Sequence, residues 1–314
     1  MRAAALNHLD LFVVDGLPGL PRQLPHILGS DGAGVIAQVG SGVSSLQPGD
    51  RVLINPGISD YTCEFCRAGE HSLCVNYGIL GEHLPGTLAE FLTVPVHNVQ
   101  PVPVLDPPLT WSEAAAFSLV TLTAWRMVMT RAQVKAGEWV LVWGIGGGVS
   151  LAALRIAKLA GARVIATSSS DAKLEVARTL GADVTLNHRS QQVVAEVRGA
   201  TGKRGVDVVV ENVGEATWGD SLRCLAKGGR IVTCGGTTGP RLVTDVRPLF
   251  WHQYSIFGST MGNAAEYREV VRRLGEGQLR PIMDATFPQE QTREAFERMA
   301  RGEQLGKIAV TIAD

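Results

Sequence analysis

No stretch of this 314-residue chain approaches the roughly 20 apolar residues that a membrane-spanning helix needs. The opening MRAAALNHLD also lacks the apolar core of a secretory signal, so the cytoplasm is the expected compartment. Net charge is missing too. With 29 Lys and Arg against 30 Asp and Glu, the balance of −1 gives neither nucleic acid nor a membrane surface a field to recognise. Cysteine is scarce, and five unevenly placed thiols exclude a disulfide framework. No internal repeat or low-complexity segment is present. What is abundant is apolar material: 45% hydrophobic against 19% charged residues excludes disorder and supplies a sizeable core. The length suggests about two domains.

The most informative stretch is 139–167, WVLVWGIGGGVSLAALRIAKLAGARVIAT. Trp139 to Trp143 reads as a buried parallel strand that breaks at Gly144. Gly146, Gly147 and Gly148 precede an amphipathic helix whose apolar stripe is Val149, Ala153, Ile156 and Ala160. Gly161 stops that helix, and Arg163 to Thr167 reads as the next strand. A glycine turn that presents backbone N–H groups at a helix N-terminus binds a dinucleotide pyrophosphate. The match to G-x-G-x-x-G is imperfect, because Val149 stands at the third glycine and Gly148 comes one residue early.

The cysteines divide into two kinds. Cys224 and Cys234 lie in apolar contexts and read as small core residues. Cys63, Cys66 and Cys74 lie in DYTCEFCRAGEHSLC, a hydrophilic loop with no core of its own. Bound Zn²⁺ orders such a loop, since metal-binding free energy becomes folding free energy. Zinc takes four ligands, and Asp60 repeats the Cys63–Cys66 spacing as the fourth, with His71 the lesser substitute. The alternative is a metal-free loop carrying three reduced thiols.

Along the chain, residues 1–108 are rich in Gly, Pro and short alternating runs (Gly34–Val39, Arg51–Ile54, Leu88–Val94), the texture of irregular β structure. Prolines 101, 103, 107 and 108 make a stiff crossover, and helical periodicity begins at Ser112, read as an N-cap. Beyond residue 139 strands alternate with helices, at Arg163–Thr167, Asp183–Leu186, Val206–Val210 and Arg230–Cys234. That alternation predicts an α/β domain with a parallel sheet covered on both faces. The tail has helices near 264–275 and 291–300 and a strand at Lys307–Ile312.

With these segments in hand, the chain resembles the medium-chain dehydrogenase/reductase superfamily, the zinc-type alcohol dehydrogenases and their quinone oxidoreductase relatives. The resemblance rests on LNHLD (6–10), LGSDGAGVIAQVGSGV (28–43), PGDRV (48–52), the cysteine loop, GTLAEF (86–91), the glycine turn and GKIAVTI (306–312), in family order. It implies a GroES-like β-barrel catalytic domain, residues 1–108 and 255–314, around a doubly wound Rossmann nucleotide-binding domain, residues 109–254, with the active site in the cleft between them. It further implies a homodimer or homotetramer acting on a small-molecule carbonyl or quinone, with no nucleic-acid or membrane partner. Family members begin with strands ahead of the LNHLD motif that are missing here, which implies a truncated chain or a start upstream of Met1.

Against the family pattern, the ligands of a catalytic zinc are lacking. The first-motif cysteine position is Asn7, the histidine position is Ser30 followed by Asp31, and AAFSLVTLTAW (115–125) contains no cysteine. An improvised set of His8, Asp10, Asp31 and His83 is the remaining metal alternative. The pattern is similar to the quinone oxidoreductase branch, whose A-x-x-G-G-V-G motif matches Gly147, Gly148 and Val149 with Ser150 for the last glycine. In that branch Asn7 and Asp10 line the nicotinamide pocket, and Thr121 and backbone amides near Gly235 add hydrogen bonds that stabilise an enolate or hydroquinone. Asn7 and Asp10 as mere turn caps are the competing reading.

The nucleotide preference is read at the end of the second Rossmann strand. Ser168 and Ser169 stand where an acid would hold the ribose 2′-OH of NAD. Lys173 and His188 stand where a 2′-phosphate would be contacted, so NADPH is expected over NADH. Three readings follow: an NAD(P)H-dependent quinone or enone reductase with one structural Zn²⁺, an NAD(P)-dependent alcohol dehydrogenase, or a nucleotide-binding protein without catalysis.

Overall fold

The computed structural model describes residues 1–17 and 24–313. Fourteen strands occur among them: β1 (Ala3–Ala5), β2 (Asp31–Val35), β3 (Arg51–Ile54), β4 (Gly57–Ile58), β5 (Gly78–Ile79), β6 (Val99–Pro101), β7 (Trp139–Val142), β8 (Arg163–Ser168), β9 (Val184–Asn187), β10 (Val206–Glu211), β11 (Leu225–Thr233), β12 (Ser255–Gly258), β13 (Met283–Pro288) and β14 (Lys307–Thr311). Contacts divide the chain into two compact units, Met1–Leu122 with Met261–Asp314, and Thr123–Thr260. The division falls inside the helix Ser118–Trp125, so 109–122 and 255–260 lie on the other side of it from the limits read in the sequence. Helical periodicity beginning at Ser112 does not mark a change of unit.

The unit Thr123–Thr260 is a parallel sheet in the order β12-β11-β10-β7-β8-β9. In that order the chain runs outward from β7 on one side and then, beginning at β10, outward on the other. This is the doubly wound arrangement, with its reversal between β7 and β10. The strands read as near-continuous apolar runs because helices cover both faces. Leu141, Ile165, Leu186, Val209, Ile231 and Trp218 meet in its core. The helix Gly148–Leu159 buries Leu151, Ala153, Leu154, Ile156 and Ala157. The expected stripe is therefore right at Ala153 and Ile156, while Val149 and Ala160 sit at its half-buried margin.

The other unit is built from both ends of the chain around a six-stranded sheet, β13-β14-β1-β2-β3-β6, the GroES-like part of the fold. β1 lies between β14 and β2, antiparallel to both, with Ala5 opposite Ala309 and Asp31. Leu6, Ile308, Val310, Ala295 and Met299 pack beneath it. Two expected strands differ here. The ladder of the Gly34–Val39 run ends at Val35, and its start lies earlier, at Asp31. Leu88–Val94 forms no strand; Gly86, Thr87 and Leu88 hydrogen-bond to residues 27–29 and the pairing stops there. The helix expected to be capped by Ser112 has its cap two residues sooner. Thr110 is its N-cap, accepting from Glu113 N at 3.2 Å while Glu113 takes the Thr110 N–H at 2.9 Å. Among the described residues no helix is long and apolar enough to cross a membrane.

Candidate functional site

The glycine turn follows β7 at the topological reversal, where open α/β sheets bind their ligands. Gly144 and Gly146 adopt φ of +63° and +145°, which L side chains rarely reach. Ile145 N donates to Thr167 O at 2.7 Å, pinning the turn to β8. Gly147 is the N-cap, so Gly148 and Val149 open the helix and their N–H groups lie in its first turn, where no intrahelical acceptor exists. Ser150, at the position of the motif's last glycine, is buried; its Oγ donates to Trp143 O at 2.8 Å and accepts from Asn212 Nδ2 at 3.0 Å.

The expected nucleotide residues gather around this turn. Ser168 ends β8 and its Oγ accepts from Ser170 N, with Ser169 between them. Lys173 reaches back over the turn: a Cβ on Gly146 would lie 3.0 Å from Lys173 Cδ and 3.3 Å from its Nζ. His188 N donates to Ser168 O at 3.0 Å, and its ring lies 6.4 Å from that of Trp143. Burial, then Arg189, holds the His188 pKa below its usual value. Gly235 lies in the loop after β11, beside Asn212 O. Beneath the turn is a network that sequence reasoning missed. The fully buried Glu211 carboxylate accepts from Val213 N, Gly214 N, Thr217 Oγ1 and Ser221 Oγ, and Ser221 Oγ in turn accepts from Trp143 Nε1 at 2.8 Å. Four donors satisfy an anion that has no cation partner among these contacts.

In the cysteine loop, the ligand atoms of Asp60, Cys63, Cys66 and Cys74 all lie within 4.8 Å of one another. The residues fit Zn²⁺. Three thiols and a carboxylate are an accepted tetrahedral set, and backbone N–H groups already aim at the sulfurs: Cys66 N at Cys63, and Asp60 N and Asn76 N at Cys74, at 3.3–3.5 Å. Burial, then the neighbouring Cys63 and Cys74, push the Cys66 thiol up to about 12, a balance that a held dication reverses. Thr62 and Cys63 N–H bonds hold the Asp60 carboxyl well below the usual carboxylate range. His71, the lesser candidate, is engaged elsewhere: its Nδ1 accepts from Ala264 N and its ring packs on Tyr61.

The third constellation surrounds Asn7. Its backbone N–H donates to Asp10 Oδ2 at 2.7 Å, and Asp10 Oδ1 accepts from Gly29 N at 2.9 Å. Burial pushes the Asp10 carboxyl up to about 6 despite both bonds. The Asn7 side chain donates to Asp31 Oδ2 at 3.1 Å and accepts from Lys307 Nζ at 2.5 Å. Lys307 also donates to Leu6 O at 2.7 Å and to Asp31 Oδ2 at 2.9 Å. Sequence reasoning missed Lys307 altogether; its place inside the GKIAVTI segment, a charge at the head of an apolar strand, was the available signal. Thr121, though buried in the helix Ser118–Trp125, makes no hydrogen bond to Asn7 or Asp10 among the described residues; Leu119 N of the same helix binds Asp31 instead. The improvised metal set fails geometrically. Each carboxylate oxygen of Asp10 and Asp31 already accepts from an N–H donor, with Lys307 also on Asp31, His8 is exposed, and His83 Nδ1 accepts from Ile79 N. Among the described residues, the cysteine loop is the one cluster of three or more His, Cys, Asp or Glu that could hold a metal ion.

Comparison with known proteins agrees with this geometry. The alcohol dehydrogenase GroES-like domain matches residues 1–104, and the zinc-binding dehydrogenase domain matches residues 148–276. A zinc-type alcohol dehydrogenase-like protein of Schizosaccharomyces pombe is 35% identical over 99% of this chain and 89% of its own. The chain belongs to the medium-chain dehydrogenase/reductase superfamily. It is an NAD(P)-dependent oxidoreductase. A crotonyl-CoA reductase of Streptomyces collinus is 32% identical over 91% of this chain and 67% of its own. The crystal structure of an NAD-dependent alcohol dehydrogenase superposes with a TM-score of 0.93 at 43% identity, covering 99% of this chain and 90% of that one.

Proposed function

We propose that this oxidoreductase transfers hydride to the β-carbon of an α,β-unsaturated carbonyl compound or to a quinone, without zinc at the reacting centre. The observation that carries this reading is the Lys307 ammonium bonded to Asn7 Oδ1, at the position that resemblance associates with the zinc-ligand cysteine, and to Asp31 Oδ2, next to Ser30 at the histidine position. Asn7 and Ser30 offer no cysteine or histidine, and a cation is already installed beside Asn7. This donor set does not fit a metal ion, and the proposed reaction has no Lewis-acid step.

Simple carbonyl reduction concentrates charge on one alkoxide oxygen, which a metal stabilises best. Conjugate reduction spreads that charge into an enolate, for which oriented hydrogen-bond donors suffice. Bound dihydronicotinamide supplies the hydride and leaves oxidised, while the α-carbon takes a proton from water. The similarity to a crotonyl-CoA reductase, whose substrate is an unsaturated thioester, supports the same reading. NADPH is the proposed donor, because no acid stands at Ser168 and Lys173 lies over Gly146. The cysteine loop holds one structural Zn²⁺ in this reading. The expected self-association is supported by Phe250 and Trp251, exposed on the helix Val246–Trp251 ahead of the edge strand β12.

An alcohol dehydrogenase is the second reading, favoured by the 43% identity to one of known structure. Purified protein assayed with NADPH against crotonyl-CoA, a simple quinone and an aldehyde separates the two. Turnover of an unsaturated acceptor, unaffected by a chelator, with about one zinc per chain, is expected. Chelator-sensitive alcohol oxidation as the main activity, with two zincs per chain, overturns the proposal.

A further inference from the structure

We propose that Lys307 is a positioning residue of the reacting centre: its ammonium serves as an internal cation that locks the Asn7 carboxamide and the Asp31 carboxylate in the arrangement turnover requires. This rests on the function proposed above and names the group that governs it.

The chemistry of the donor set supports the assignment. Lys307 stands at the head of β14 with 3% of its surface exposed, and Asp31 opens β2 with none. An ammonium has three protons, and here each has an acceptor: Leu6 O, Asn7 Oδ1 and Asp31 Oδ2. Because lysine only donates, the oxygen of the Asn7 carboxamide must face it, and the amide nitrogen is turned to Asp31 and to Ala5 O. The orientation of Asn7 is thus decided by a residue 300 positions away. Asp31 is anchored independently, its other oxygen accepting from Leu119 N at 2.7 Å. Every polar atom of the Lys307–Asn7 pair is committed, so Lys307 acts through its neighbours and does not itself touch substrate.

A fold has little reason to retain this group for stability alone. A well-packed apolar replacement for a buried ion pair is often neutral or stabilising. The adjoining Ser30 adds a second anomaly. Its hydroxyl is fully buried and has no hydrogen-bond partner among the described residues, an exception that native interiors seldom keep without use. An unspent donor at the missing histidine position, next to an ion pair that locks Asn7 at the missing cysteine position, points to a centre organised for a substrate oxygen.

The test compares Lys307→Gln, Lys307→Arg and the double variant Asp31→Asn/Lys307→Gln with the wild type. Each is read for kcat and KM with crotonyl-CoA and NADPH, for NADPH binding by fluorescence, and for thermal unfolding. Lys307→Gln is expected to lower kcat by about 100-fold with KM and NADPH affinity little changed. Lys307→Arg, keeping the charge, should recover part of that loss. The double variant removes both charges together, so it should regain stability and leave kcat low. If it regains kcat as well, or if folded Lys307→Gln turns over within about twofold of wild type, Lys307 is only structural and the proposal is overturned. A wild type that turns over alcohols and no unsaturated acceptor refutes the proposed function instead. The Lys307 series then reads alcohol oxidation, where an unchanged kcat still overturns this proposal.

Discussion

Asp10→Asn should change the pH dependence of stability in a direction fixed by burial. The Asp10 carboxyl rises from 3.8 in the unfolded chain to about 6 in the fold, chiefly because burial disfavours its anion. The Asn7 and Gly29 N–H bonds oppose the rise, as does Lys307, and Asp31 adds to it. The folded state therefore binds the proton more tightly than the unfolded state does. Its contribution is fully present below about pH 4 and is lost as pH climbs through about 6, amounting to about 3 kcal/mol. Asparagine cannot titrate, but its amide oxygen can accept from only one of the two N–H groups, which leaves a buried donor unpaired at a cost of about 1–3 kcal/mol. At acid pH the variant should thus be clearly the less stable, and near pH 7 the two proteins should be nearly equal. Urea unfolding of both proteins at half-unit steps from pH 4 to 7.5 measures the gap, with other titrating groups cancelling in the difference. A gap that stays constant within about 0.5 kcal/mol, or widens with rising pH, refutes the reasoning.

Lys173→Ala should raise KM for NADPH on the order of tenfold and leave KM for NADH unchanged, since one hydrogen bond to a charged phosphate contributes about 1.5 kcal/mol; equal effects on both nucleotides would show that Lys173 ignores the 2′ position. Cys66→Ser should reduce bound zinc well below one per chain and lower Tm by at least about 4 °C, as a loss of about 2 kcal/mol implies; stoichiometric zinc by elemental analysis would place the metal elsewhere. Gly86→Ala should destabilise by more than about 3 kcal/mol in chemical denaturation, because the added Cβ is driven into the Gly29 and Leu28 carbonyl oxygens beside the Ser30–Asp31 segment. An unchanged midpoint would mean that this backbone approach relaxes freely.

What the sequence determined by itself is what short range determines. The strand, glycine turn and helix of 139–159 are legible because apolar periodicity and glycine positions act within a few residues, and the doubly wound sheet follows from their repetition. The Asp60–Cys74 cluster is legible for the same reason: its spacing is itself the geometry that brings four ligand atoms together. Only the tertiary structure decided the rest. Lys307 reads as the polar start of a strand until β14 is laid against β1 and brings its ammonium to Asn7 and Asp31. Asp10 reads as a pocket residue or a turn cap, and that burial reverses its preference for charge appears only in the fold, where it does accept the capping Asn7 N–H. Lys173 reads as a 2′-phosphate contact by position, but only the fold turns it back over Gly146. Desolvation and long-range pairing depend on what surrounds a group in space, and local pattern carries no record of that.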